Sequence, residues 1–465
     1  MAAVEKKILL ISYHFPPSNA VGGMRIAHFA ENLPTCGWTP LVLTVKDSGL
    51  SAVEHESANG WGGIKTIKAG KLPTFIEGYL KLKKMVLRLF KKKEDSRKET
   101  HPVKSSAVYP SASEKFFEKL KRYFISLFLT LPDAERNWVI PAVLKALLEV
   151  RREKVDYILT SCPPYSVHLI GLIVKGMTGV KWAADFRDPW MTTGSKRLYP
   201  TCALSIRIER YLEKKVVQKA DLVLFNVERL RDAYKRQYKT EPESKFVFIS
   251  NGFDPSFFSD LRPSKKYEKF TISYAGSFYL GRSPEPVFKA LKALEREGRI
   301  GLQEVHVKLV GHCRQIGGEP VSRMIAAYGL EGVVAVSDPI PHPEALEMIR
   351  KSHLALLLAP DQPYQIPAKA YEYIGSGTEI LALTEEGATA DLIRSTRLGR
   401  AFSPSDIEGI KKYLVEMICS ERLKTRDGAP HADEARSLVA KQFEGKAITQ
   451  NLANNLNRTC ALEEI

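Results

Sequence analysis

Residues 8–45 read ILLISYHFPPSNAVGGMRIAHFAENLPTCGWTPLVLTV. Residues 8–12 form a short apolar run of the kind that a strand buried on both faces requires, and residues 40–45 form a second. Between them a Pro- and Gly-rich loop, 14–23, gives way to a helical pattern over 25–33. Strand, loop, helix and strand make a βαβ opening, which predicts a parallel sheet covered by helices.

The same rhythm continues outward from this stretch. Short apolar strands are predicted at 156–160, 181–185 and 221–226. Around 254–269 the composition turns rich in Pro, Ser, Asp and Lys, after which strands restart at 270–275, 305–310, 354–359 and 379–383. Helical patterns separate them at 284–297, 321–327, 343–351 and 367–375, and two more follow at 406–420 and 431–456. The chain therefore reads as two α/β halves: a first domain over 1–262, a second over 263–430, and a helical segment, 431–465, expected to pack back on the first. A length of 465 residues, 44% hydrophobic and 26% charged, suits two globular domains and excludes a disordered, collagenous or disulfide-framed chain.

Six cysteines lie at least 40 residues apart with no CxxC pair, so zinc-ribbon and thioredoxin-like readings fail and a reduced, cytoplasmic compartment fits. No secretion signal or membrane-spanning run is legible. Lys and Arg outnumber Asp and Glu by 69 to 53, a net +16 that implies an acidic partner. Half of that excess sits in one insertion: residues 76–125 hold 14 Lys/Arg against 6 Asp/Glu. Within 76–131, Tyr79, Leu82, Val86, Leu89 and Phe90, then Phe116, Leu120, Phe124, Leu127 and Leu131, recur at helical spacing, predicting two basic amphipathic helices. An anionic membrane surface is the partner such helices suit. Helices that merely cover the first sheet are the alternative. Nucleic acid is not expected, because no helix-turn-helix, zinc or RNA-binding motif accompanies the charge.

Several strand ends carry residues suited to a phosphorylated ligand. Gly22 and Gly23, just before a helix entered near Arg25, allow close backbone approach to a diphosphate, although a tight structural turn would look the same. Gly276, Ser277 and Arg282 repeat this arrangement in the second half, with Arg282 positioned to neutralise a leaving diphosphate or to pair with Glu285. Gly311 follows another strand. Residues 366–377, IPAKAYEYIGSG, put Lys369 and Glu372 on one helix face: a lysine can reach phosphate oxygens while a carboxylate accepts from both ribose hydroxyls. An intrahelical ion pair is the alternative. Arg187 and Asp188 follow a buried strand where doubly wound sheets place ligands, and can equally anchor their own loop. His168 reads as a satisfied helix histidine.

These motifs resemble those of the retaining nucleotide-sugar glycosyltransferases of family 4, over nearly the whole chain. The resemblance implies a GT-B architecture, two Rossmann-like doubly wound domains with an interdomain cleft. It implies that Gly22 and Gly23 face the donor diphosphate and that Glu372 binds the donor ribose. It places Arg282 at the family's usual lysine and Ser277 at its usual arginine. Tyr364 stands where a first glutamate is common, Lys369 where proline is frequent, and Arg187-Asp188 where many relatives have His-Asp. The version here is similar to those of bacterial surface-polysaccharide transferases. The implied reaction moves a hexose from a nucleotide-sugar, UDP-sugar first, to a lipid-linked or saccharide acceptor with retention. Arg187, Asp188, Arg282 and Lys369 would be catalytic; Gly22, Gly23, Arg25, Gly276, Ser277, Gly311, Tyr364 and Glu372 would bind the donor. No metal or other cofactor is expected, and the protein would sit in the cytoplasm, peripheral to the inner face of the plasma membrane. A nonhydrolysing sugar-nucleotide epimerase and a catalytically silent envelope-binding relative are the competing readings.

Overall fold

A computed structural model describes residues 5–18, 21–46, 63–73, 123, 126–127, 131–191, 202–259, 265–279, 281–427 and 432–461. The helices expected within 76–131 fall almost wholly outside the described residues.

The first half runs β1 (Lys6–Ser12), α1 (Met24–Asn32), β2 (Trp38–Val45), β3 (Lys65–Ala69), α2 (Val139–Glu153), β4 (Tyr157–Cys162) and α3 (Ser166–Thr178). It continues with β5 (Lys181–Phe186), α4 (Ala203–Lys219), β6 (Leu222–Phe225), α5 (Glu228–Gln237), β7 (Phe246–Phe248) and the single turn α6 (Ser256–Ser259). The second half runs β8 (Phe270–Ser277), α7 (Glu285–Arg296), β9 (Val305–His312), a small hairpin of β10 (Gln315–Ile316) and β11 (Glu319–Pro320), α8 (Val321–Ala327), β12 (Val334–Ser337) and α9 (His342–Lys351). Then follow β13 (Leu354–Leu358), α10 (Lys369–Ser376), β14 (Glu379–Leu383), α11 (Ala388–Thr396), β15 (Gly399–Phe402), α12 (Ile407–Asp427), α13 (Ala432–Lys441) and α14 (Gly445–Ala461).

The two large sheets share one logic. The first has the order β3-β2-β1-β4-β5-β6-β7 and the second β12-β9-β8-β13-β14-β15. Counted from each half's own first strand, both begin 3-2-1-4-5-6, the doubly wound order in which strand direction of travel reverses beside the first strand. The ladders β1–β2, β1–β4, β4–β5, β8–β9 and β13–β14 are parallel. The molecule divides into two compact units, Met1–Ala30 with Gly37–Val223, and Glu31–Cys36 with Leu224–Ile465. The change of sheet falls between β7 and β8.

Burial explains the strand sequences. Ile8, Leu9, Leu10 and Ile11 have no exposed surface, so both faces of β1 are covered and the run is continuous rather than alternating. In β13 the two faces separate by parity: Leu354, Leu356 and Leu358 join a core with α7 and α12, whereas Ala355 and Leu357 join one with Ile349 and Ile374. Helix ends carry their own chemistry. Cys202 caps α4 by accepting from the Ser205 N–H while the Ser205 hydroxyl accepts from the Cys202 N–H. Gly377 ends α10 in the left-handed region, with φ 69°. Near the C-terminus, the Phe253 N–H donates to the Phe443 carbonyl and the Gly445 N–H to the Phe253 carbonyl, tying the α13–α14 junction to the segment before α6. The Cys36 thiol donates to Gln450 of α14.

Candidate functional site

In the first unit, the ends of β1, β4 and β5 gather around two arginines that have partners of their own. Arg25 is buried, its Nε and Nη2 each 3.0 Å from the carboxylate oxygens of Asp185, which also accepts from Ser161 Oγ at 2.7 Å. A bidentate pair between two fully desolvated groups fixes α1 to β5 and leaves that guanidinium turned away from solvent. Arg25, expected to contact the donor, is thus placed as a brace. The reason is that its helix position points inward, with the guanidinium also lying 4.9 Å from the Phe29 ring.

Arg187 is likewise enclosed. Its Nε donates to the Cys162 carbonyl at 2.8 Å, Nη2 to the Pro163 carbonyl at 2.7 Å, and Nη1 to the Gly22 carbonyl. Burial lowers its pKa, with Asp185 and Asp188 opposing that. A Cβ at Gly22 would lie 2.9 Å from Arg187 Nη1, and one at Gly23 would lie 3.3 Å from the His14 backbone. Close packing therefore favours small residues here independent of any ligand, Gly22 against the Arg187 clamp and Gly23 against the His14–Phe15 backbone. Asp188 stands half-buried beside this clamp. The rest of the loop is pinned by Tyr165, whose ring stacks on Trp190 at 5.2 Å and whose hydroxyl donates to the Pro189 carbonyl. His168 is fully buried, its Nδ1 2.8 Å from Thr160 Oγ1, and burial depresses its pKa to about 3. It is a neutral core histidine, satisfied at Nδ1 but with a buried Nε2 that has no hydrogen-bond partner among the described residues.

The second unit differs in kind, because among the described residues the two cations at its strand ends, Arg282 and Lys369, have no acid bonded to them. β8 and β9 end side by side, Gly276 in register with Gly311. Gly311 has φ 118° and a Cβ there would collide with the Gly276 carbonyl oxygen, so only glycine serves. A Cβ on Gly276 would in turn coincide with Lys369 Nζ. The lysine reaches from the first turn of α10 into this gap and places its ammonium 4.8 Å from the centre of the Tyr274 ring. Burial and then the neighbouring Arg282 push its pKa down to about 8, with Glu372 pulling the other way. Arg282 is buried, lies 4.2 Å from the Tyr279 ring, and has an Nε with no hydrogen-bond partner. Glu285 is not its partner: that carboxylate takes Lys289 at 3.1 Å and the Tyr328 hydroxyl at 2.8 Å.

Lys369 and Glu372 share the start of α10 without bonding to each other. Glu372 Oε1 is instead 3.0 Å from His342 Nε2 at the start of α9, and that contact raises the His342 pKa. The His342 ring also meets Phe257 edge-on at 5.2 Å. Ser277 presents its carbonyl to the Tyr274 hydroxyl at 2.9 Å. Cys313 donates from Sγ to the Gly276 carbonyl at 3.3 Å, and burial pushes its thiol up to about 12, so it stays protonated. Tyr364 stands half-buried in the loop between β13 and α10.

The structure thus brings Gly276, Ser277, Arg282, Gly311, Lys369 and Glu372 together at the switch point of the second sheet, where β8 lies between β9 and β13. Buried Arg282 and half-buried Lys369 beside a floor of backbone without side chains are chemically suited to a compact dianion, and the carboxylate one turn along α10 has the lone pairs to accept from paired hydroxyls. Sequence reading missed Tyr274, Tyr279 and His342. The tyrosines read as core and surface residues of a strand and its loop, and His342 lies 30 positions from its partner, with no spacing to join them.

No protein-family model and no curated protein sequence matches the chain. Solved structures do. The chain is similar to Alr3699/HepE of Anabaena in complex with UDP, at 14% identity and a TM-score of 0.59, covering 97% of this chain and 100% of that one. It is similar to sucrose-phosphate synthase from Thermosynechococcus elongatus at 15% identity and 0.58, covering 98% and 100%. It is also similar to the N-terminal domain of Candida albicans trehalose-6-phosphate phosphatase at 11% identity and 0.62, covering 99% and 98%. Likeness over both halves at once establishes the fold as GT-B, the architecture expected from the sequence.

Proposed function

We propose that the protein is a glycosyltransferase that takes a hexose from a nucleoside-diphosphate-sugar and passes it, with retention, to a lipid-linked or saccharide acceptor in surface-polysaccharide synthesis. The observation that carries this reading is the pair of cations, buried Arg282 and half-buried Lys369, held beside the Gly276–Gly311 strand ends with no carboxylate among the described residues bonded to either. Desolvating two like charges side by side is unfavourable unless an anion joins them, so the folded chain is organised for a ligand bearing at least two negative charges. Glu372 supports a nucleoside diphosphate over a simple phosphate, because its carboxylate offers lone pairs to ribose hydroxyls on the same helix turn. UDP is the first candidate base and diphosphate, since the GT-B neighbour HepE is solved with UDP and with UDP-glucose.

In the proposed reaction the bond between the sugar's anomeric carbon and the diphosphate oxygen breaks, and its electron pair stays on that oxygen. Arg282 and Lys369 stabilise the charge that develops there, already oriented before the bond loosens. The acceptor hydroxyl bonds to the anomeric carbon from the face the diphosphate leaves, and its proton passes to the departing phosphate oxygen. These side chains supply the charge neutralisation, so the scheme calls for no metal. The acceptor is placed at an anionic cytoplasmic membrane face on the strength of the basic stretch 76–125.

The direct test is thermal unfolding with UDP, GDP and ADP. A nucleotide that binds only the folded chain adds about 2.7 kcal/mol at a hundred times its Kd. UDP is expected to raise Tm in the parent protein and to lose that effect in Arg282→Ala. If none of the three moves Tm, the donor reading fails. Labelled UDP-hexose with membrane extract then separates transfer to lipid from interconversion of free nucleotide-sugars, the outcome an epimerase would give.

A further inference from the structure

Helices α2, α3 and α4 lie side by side on one face of the first sheet, and their outward surface is unusual for a water-facing layer. On α2, Ile140, Leu144 and Leu148 recur every fourth residue and are 59%, 65% and 54% exposed. α3 continues the apolar surface with Ile173 and Met177, and α4 with Tyr211. Single exposed apolar residues need no explanation, but a stripe spread over three adjoining helices does.

The charges on the same helices are sorted by face. Every exposed charged side chain is a cation: Lys145, Arg151 and Arg152 on α2, with Arg207, Arg210 and Lys214 among those on α4. The acids are turned in. Glu149 is buried and accepts from Arg152, Glu209 is buried and accepts from Trp190 Nε1 at 2.9 Å, and Glu213 is buried and accepts from the Met191 N–H at 2.9 Å. Glu153, half-buried, is bonded to Lys7 and Lys65. α3 contains no acid at all.

We infer that the α2–α3–α4 face is a docking surface for an anionic lipid bilayer, with the apolar stripe entering the headgroup–acyl boundary and the surrounding cations meeting lipid phosphates. The charge sorting selects this occupant. A second copy would set one cationic face against another, whereas anionic lipid complements both the charge and the apolar centre. Among the described residues no helix is long and apolar enough to cross a membrane, so attachment through this face is reversible and lies on the surface. The inference deepens the proposed function by placing its lipid-linked acceptor beside a described part of the fold, and it depends on that reading only for the acceptor.

The test is co-sedimentation of the full chain with vesicles of phosphatidylglycerol and of phosphatidylcholine. The parent protein is expected to bind the former, less so as salt rises, and Leu144→Glu with Leu148→Glu to weaken that binding about tenfold or more. Unchanged binding by this double variant overturns the inference, as does equal binding to phosphatidylcholine. Loss of binding only in Lys83→Glu, Lys84→Glu, Lys91→Glu, Lys92→Glu assigns attachment to the 76–125 stretch instead and also overturns it. A parent dimer that the α2 variant converts to monomer, without vesicle binding, shows the occupant to be a second copy. Should the double variant fail to fold, hydrogen exchange on the parent decides: amides of α2 and α3 slow on adding phosphatidylglycerol vesicles, or the inference is wrong. UDP-induced stabilisation, measured on the same samples, reports on the donor reading alone.

Discussion

Lys369 is the residue on which site chemistry is most sharply tuned. An ordinary lysine keeps its proton well above neutral pH, but burial and Arg282 bring this one to about 8. The charged form is the one a diphosphate needs, so the sign is fixed: affinity holds at neutral pH and falls as pH rises through about 8, until bound anion can no longer restore the proton. Calorimetric titration of UDP across that range should show the fall, and Lys369→Arg, which cannot deprotonate there, should flatten it. A pH-independent parent would remove the ammonium from the diphosphate contact. Glu372 and Lys369 were legible from their spacing on one helix face, but their separation into a His342 contact and a gap-filling cation was not. Both depend on α9 and β8, which reach them through tertiary packing.

At the scale of elements, the strands and helices were readable because burial on two faces leaves continuous apolar runs, as in β1, and because each helix carries a core-facing stripe. What the pattern could not reveal is which polar residues brace the ends of those elements. Arg25 and Arg187 resembled ligand contacts, since both follow a buried strand or open a helix beside glycines. Their partners, Asp185 and the Cys162, Gly22 and Pro163 carbonyls, come from strands that only sheet formation makes neighbours. Arg187→Ala should strand these acceptors and cost about 2–5 kcal/mol, read as a lower guanidinium chloride midpoint with unchanged slope. Gly22→Ala should cost less, roughly 1–2 kcal/mol, because the clash falls on the movable end of a side chain. If Arg187→Ala unfolds at the parental midpoint, the clamp is not structural and its guanidinium returns to consideration as a substrate contact.

For the molecule as a whole, two units of similar winding differ in what they do with their cations. In Met1–Ala30 with Gly37–Val223 the strand-end arginines are engaged with protein groups, whereas in Glu31–Cys36 with Leu224–Ile465 the strand-end cations Arg282 and Lys369 have no carboxylate bonded to them among the described residues. Nucleotide binding should therefore register in the second unit. Hydrogen exchange with saturating UDP is expected to slow in peptides covering 274–282, 310–313 and 366–376. Protection confined to the loop at Gly22 and Gly23 would move the site to the first unit. The two-domain α/β organisation was visible in the sequence because the βαβ rhythm restarts; this asymmetry was not, since arginine beside glycine reads the same in both halves until the partners are known.

The abutting glycines of β8 and β9 carry one last implication. The carbonyl oxygen of Gly276 fills the volume that any larger residue at position 311 would claim, while the ammonium above fills the volume at position 276. Neither neighbour can retreat without unzipping a strand or withdrawing the charge. Drift at position 311 is consequently closed by backbone, and drift at position 276 comes only with displacement of the Lys369 ammonium, so descendants of this chain can vary the walls around these strand ends more freely than the ground beneath them.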